Sequence, residues 1–153
     1  MSDSRDMRDI GIARKELPTQ RPSGNQWLVL IAIDQYPARF LDNLRCCVSD
    51  AEAVASTLIR QYGYSPDRLI RAYNQDATRH HVEKLFFELP DRVGPEDSVL
   101  IYYAGHGYYD DRRKLGLWYP YDASHPGSGI ANSTVKDWCR ALPSHKILVV
   151  ADS

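Results

Sequence analysis

His106 holds the strongest position for chemistry in this sequence. The apolar run Ser98 to Ala104 leads straight into Gly105-His106-Gly107 and presents an imidazole at the end of what reads as a strand. An imidazole there can carry a proton between a nucleophile and a leaving group near neutral pH. The flanking glycines let another chain come close and free backbone N–H groups to point at a ligand. Read alone, a histidine at a strand end is as readily structural as catalytic. A second apolar run, Lys146 to Ala151, ends at Asp152-Ser153, where the chain stops. A cysteine in the next position would face His106 and complete the thiol–imidazole pair that attacks peptide carbonyls.

Other groups offer less. Five histidines and three cysteines are present, two of the cysteines adjacent at Cys46 and Cys47. Neither these nor His80, His81, His125 and His145 show a zinc-type spacing, so they read as packing or loop residues and no metal is expected. Gly105-His106-Gly107 lacks the glycine spacing of a dinucleotide loop, and no cofactor is implied. Ser153 lies one residue away from the position facing His106, and Cys47 is equally ill placed to attack. The aromatic residues around the histidine, Tyr102, Tyr103, Tyr108, Tyr109, Trp118, Tyr119 and Tyr121, read as core and rim packing before they read as a groove.

The elements that must position His106 alternate in type. Trp27 to Ile33 is nearly continuous apolar sequence, as in a strand covered on both faces. Val48 to Tyr62 has helical spacing and is ended by Gly63 and Pro66. A short strand at Arg68 to Tyr73 precedes a helix over Thr78 to Leu89, with Thr78 as its cap and Val82, Leu85, Phe86 and Leu89 on one face. The third strand is Ser98 to Ala104. A third helix, capped by Ser133, holds Val135, Trp138 and Leu142 and closes at Pro143, and the fourth strand is Lys146 to Ala151. This alternation predicts an α/β fold: a doubly wound, mainly parallel sheet with helices on both faces and functional loops at the carboxyl ends of the strands.

Residues 1 to 26 alternate charge with Gly and Pro and lack an apolar period, which predicts a disordered tail ahead of one domain over residues 27 to 153. The 153 residues are 43% hydrophobic and 25% charged, an ordinary globular balance. A net charge of -1 gives no excess of cations for many phosphates or an anionic lipid surface, so neither nucleic acid nor membrane is an expected partner. No run is long enough to span a bilayer, and the charged N-terminus does not read as a signal peptide. Three cysteines cannot complete a disulfide framework, which favours a reducing, cytoplasmic setting.

Over roughly residues 27 to 153 the chain resembles the caspase and metacaspase superfamily. The resemblance is carried by Leu30-Ile31-Ala32-Ile33 followed by Tyr36-Pro37, by Leu44-Arg45-Cys46-Cys47-Val48-Ser49-Asp50-Ala51, and by Ala77-Thr78-Arg79 at the second helix. The histidine motif and a strand ending in Asp-Ser, which in relatives precedes Cys, complete the series. It implies a cysteine endopeptidase with His106 as the proton-transfer group and the Gly107 N–H as an oxyanion donor. It also implies a specificity pocket holding Asp50 and Asp152, with Cys47 lining it. Two carboxylates there would favour a protein or peptide substrate presenting Lys or Arg. Asp50 is equally well read as a first-turn helix carboxylate, and Asp152 as a solvated loop carboxylate.

Two departures from the family pattern shape the expectations. Ala104 stands where metacaspases often have Ser. The segment Tyr108 to Pro120 lacks the long acidic insertion of calcium-dependent relatives, leaving Asp110 and Asp111 against a requirement of about six to eight oxygens, so no calcium dependence is expected. Because the chain stops at Ser153, the sheet is expected to be incomplete at its C-terminal end, and the chain as given to be inactive without the nucleophile. The fourth strand would then be an apolar edge open to self-association or to a completing chain. The alternative reading is a non-catalytic caspase-like scaffold or partner-binding module.

Overall fold

The computed structural model describes residues 24–153. Residues 1–23 of the expected tail lie outside the described residues. The last residues assigned to that tail are in the fold instead: the Asn25 N–H donates to Asp97 Oδ1 at 2.7 Å, and Gln26 opens the first strand.

That strand, β1 (Gln26–Ala32), lies inside a four-stranded sheet because both of its faces are apolar. Trp27, Val29 and Ile31 enter one core, while Leu28, Leu30 and Ala32 enter the other. Each buried Leu, Val or Ile contributes about 2 kcal/mol. The neighbours are β2 (Leu69–Tyr73) on one side and β3 (Ser98–Ala104) on the other, with β7 (Lys146–Asp152) beyond β3. All three pairings are parallel.

Helices cover both faces. On one side lies α1 (Cys47–Tyr62), whose fully buried Ala51 and Ala55 let its backbone approach Leu28, Leu30 and Tyr102 closely. On the other lie α2 (Arg79–Glu88) and α3 (Asn132–Arg140), joined by a stack of Phe86 on Trp138 with centroids 4.7 Å apart. Thr78 caps α2, its hydroxyl accepting the His81 N–H at 3.2 Å. The expected Ser133 cap of α3 is not formed. Ile130–Ala131 is a short strand, β6, that pins the chain in extended form up to Ala131, so the helix starts at Asn132 and Ser133 falls inside its first turn. Leu142 is buried beyond the helix end.

The segment after His106 forms strands that the sequence pattern did not announce. It folds into a three-stranded antiparallel sheet of β4 (Gly107–Asp110), β5 (Leu115–Trp118) and β6. Its hairpin turns where Asp110 accepts the Arg113 N–H at 3.0 Å and Lys114 adopts φ 51.

Below the sheet, the buried Asp97 holds the chain entry. Its carboxylate accepts N–H groups from Asn25, Gly94 and the Trp27 indole.

Candidate active site

Ala104 pairs with Asp152 at the end of the β3–β7 ladder, and the Gly105 N–H donates to the Asp152 carbonyl at 3.2 Å. The histidine turn and the tip of β7 thus share the carboxyl edge of the parallel sheet, the usual seat of function in such folds. They also touch. A Cβ added at Gly107 would stand 2.6 Å from Ser153 Oγ, so a larger residue fits only if Ser153 moves.

Tyr119 donates its N–H to the His106 carbonyl at 2.9 Å, which makes Gly107 and Trp118 a non-hydrogen-bonded pair of the β4–β5 ladder. The Gly107 N–H therefore points away from β5, out from the open edge of β4.

The His106 ring is partly exposed, not sealed in hydrocarbon. Its Nε2 lies 2.7 Å from the Asp42 carbonyl oxygen. A carbonyl only accepts, so Nε2 carries the hydrogen and donates it, which leaves Nδ1 as the nitrogen free to take up a proton.

The His106 main chain is held as firmly as its ring. Its N–H donates to the Tyr36 hydroxyl at 2.9 Å, and its carbonyl accepts from the Tyr103 hydroxyl at 2.6 Å. The Tyr36 ring leans on the imidazole at 4.9 Å between centroids and 56° between planes. Burial pushes the Tyr36 hydroxyl up to about 12, and burial also raises Tyr103, so both stay protonated as donors at every working pH.

Cys47, Asp50 and Asp152 are brought together beside Tyr102. Asp152 shares its sheet face with its partner Ala104 and with Tyr102, the face covered by α1. Burial raises Tyr102, and the charges of Asp152 and Asp50 add to the effect. The Cys47 thiol is pushed up to about 11, first by burial, then by Asp34, with Asp152 and Asp50 contributing. A thiol held neutral in this way is a poor nucleophile. Asp50 and Asp152 are both exposed at the rim.

Three functional neighbours went unread in the sequence. Asp42 acts through its main-chain carbonyl, which leaves no signature in residue type. Tyr36 sits in a motif quoted for resemblance, but nothing in its spacing points to His106. Asp34 anchors α1 from a distance, accepting the N–H of Cys47 at 2.7 Å and of Val48 at 3.3 Å, because Cys46 at φ 73 supplies no side-chain cap.

Among the described residues, no three His, Cys, Asp or Glu side chains are grouped to hold a metal ion. Asp110 and Asp111 are ion-paired with Arg113 and Lys114. Among the same residues, no helix is long and apolar enough to cross a membrane.

A family model of the caspase domain matches residues 25–153. The chain belongs to the caspase domain family. Relatives of this caspase-domain chain include metacaspase-1 of Meyerozyma guilliermondii, 28% identical over 91 residues, covering 56% of this chain and 22% of the relative. Metacaspase-3 of Arabidopsis thaliana is 25% identical over 96 residues, covering 59% of this chain and 26% of its own. The chain thus spans about a quarter of the length of the curated relatives it matches. The crystal structure of a protein from Geobacter sulfurreducens superposes with a TM-score of 0.64 at 15% identity, covering 83% of this chain and 48% of that one. That likeness is one of fold.

Proposed function

We propose that this caspase-domain chain carries the base, one oxyanion donor and the acidic pocket of a cysteine endopeptidase that cleaves after Lys or Arg. The observation that supports it most is the Gly105 to Asp152 hydrogen bond, which ties the histidine turn to the tip of β7. In this reading a cysteine follows Ser153.

Nδ1 of His106 takes the thiol proton as the sulfur bonds to the substrate carbonyl carbon. The carbonyl oxygen gains the electron pair and is held by the Gly107 N–H. The tetrahedral adduct then expels the amine, which receives the proton from His106 and leaves an acyl-enzyme. Water, giving a proton to His106, attacks the thioester carbon; the C–S bond then breaks, the new carboxyl end of the peptide leaves, and the sulfur takes the proton back from His106. Asp42 keeps the ring in the required tautomer throughout. Asp50 and Asp152 receive the cationic side chain of the substrate through charge-assisted hydrogen bonds, with Tyr102 and Cys47 as the wall between them.

The test begins with the coding sequence past Ser153 and continues with that product on fluorogenic peptides. Cysteine at the next position and turnover of Arg or Lys peptides over Asp peptides by a hundredfold or more is the expected result. Another residue at that position would turn the reading to the non-catalytic module, and cleavage after Asp would refute the assigned pocket.

A further inference from the structure

The Tyr36 hydroxyl lies deep in the molecule, with only 6% of the residue exposed, and it is hydrogen-bonded to main chain around His106 and to the neighbouring Tyr103 hydroxyl. It accepts from the His106 N–H at 2.9 Å and donates to the Tyr119 carbonyl at 3.3 Å. Tyr119 in turn gives its own N–H to the His106 carbonyl. Tyr103 closes the other end, its hydroxyl lying 2.6 Å from the His106 carbonyl and 3.1 Å from that of Tyr119. The two phenols enclose Gly105: a Cβ there would stand 2.6 Å from the Tyr36 hydroxyl and 2.9 Å from that of Tyr103.

A buried hydroxyl is costly unless bonded, and phenylalanine would fill the same space without that cost. The hydroxyl at residue 36 therefore answers to the peptide groups it serves. Those groups decide where the His106 Cα–Cβ bond points. The ring, fixed at one end by the main chain and at Nε2 by the Asp42 carbonyl, has one orientation left.

We infer that Tyr36 is a positioning residue for His106. Through the His106 peptide N–H, it holds the imidazole against the Asp42 carbonyl, so that Nε2 keeps the hydrogen and Nδ1 is left free of it. Tyr103 does the same work from the carbonyl side. Its ring is also stacked on Trp118 at 4.5 Å and 9°, so its replacement would disturb packing as well, and Tyr36 is the cleaner position to probe. The catalytic meaning of this clamp rests on His106 being the proton-transfer group, but the clamp itself does not.

Two readouts keep these apart. In the full 153-residue chain, the ring nitrogens of His106 are observed by long-range proton–nitrogen NMR, with Tyr36→Phe compared to the unaltered chain. The unaltered ring is expected to show one dominant tautomer with hydrogen on Nε2. Tyr36→Phe, with the fold retained by circular dichroism, is expected to show a mixture of tautomers. Identical ring signals in the two chains would overturn the inference.

If Tyr36→Phe does not fold, amide exchange in the unaltered chain decides. The His106 N–H should be protected well beyond an open loop amide, and exchange at the open-chain rate would overturn the inference. In the cysteine-bearing product, Tyr36→Phe is expected to lower kcat roughly ten- to a hundredfold with KM within about twofold, the pattern of a misplaced base. Unchanged kcat beside an altered ring would overturn its positioning role in turnover. Absence of turnover in the unaltered product as well would count against the peptidase reading alone.

Discussion

At the scale of single residues, the site depends on one imidazole whose two nitrogens have been given different tasks. Nε2 is committed to the Asp42 carbonyl, and in the proposed reading Nδ1 serves proton transfer. His106→Ala removes both. In the cysteine-bearing product, kcat/KM should fall about ten-thousandfold while the melting temperature stays within a few degrees, since the ring is partly exposed and fills no core position. Equal activity in the variant would leave His106 a structural residue. Asp97 is the opposite kind of carboxylate, serving the fold rather than the site. Burial works to raise it, but N–H donors from Gly94, Asn25 and the Trp27 indole outweigh burial and hold it below the usual aspartate value. A carboxyl lowered by folding stabilises the fold above its unfolded value and loses that contribution as the pH falls through its folded value. Melting temperature should therefore fall as the pH drops below the ordinary aspartate value of about 4, and Asp97→Asn should cost about 2 kcal/mol at neutral pH while flattening that acid limb. Parallel acid limbs in the two chains would contradict this account.

At the scale of elements, α1, like α3, starts without a side-chain cap at its own N-cap residue, but it borrows one from elsewhere. Cys46 is in the left-handed region, and the first N–H groups of the helix are served by Asp34, which stands after β1. Asp34→Ala should destabilise the fold by about 1 kcal/mol in urea titration. It should also lower the pH at which Cys47 reacts with iodoacetamide, because Asp34 is the largest charge holding that thiol neutral. An unchanged reactivity profile would mean that Asp34 has no hold on the thiol. This arrangement also shows what the sequence could reveal. β1 and β3 were legible because both faces are covered, leaving unbroken apolar runs, and α2 because Thr78 caps it directly. β4 and β5 were not, since each has only four residues, too few for an alternation to stand out, and β4 exposes both of its tyrosines. The site was half legible for the same reason: His106, Gly107 and Asp152 mark strand ends, whereas the Asp42 carbonyl and the remote Asp34 cap exist only after folding.

At the scale of the whole molecule, β7 pairs only with β3 among the described residues, and Leu148, Val149 and Val150 are exposed at 56%, 39% and 38%. Unpaired N–H and C=O groups beside apolar side chains invite another strand. Sedimentation velocity of the 153-residue chain should show concentration-dependent association, reduced by Leu148→Lys with Val150→Lys, and a monomer at all concentrations would refute it. The same pairing has a bearing on biosynthesis. The histidine turn is translated well before its hydrogen-bond partner at Asp152, and β3 must wait with one flank open until Lys146 to Asp152 emerge. Because a nascent chain grows at about 5–20 residues per second, β3 stays unsheltered for seconds. That interval is when a chaperone at the ribosome would find most to hold.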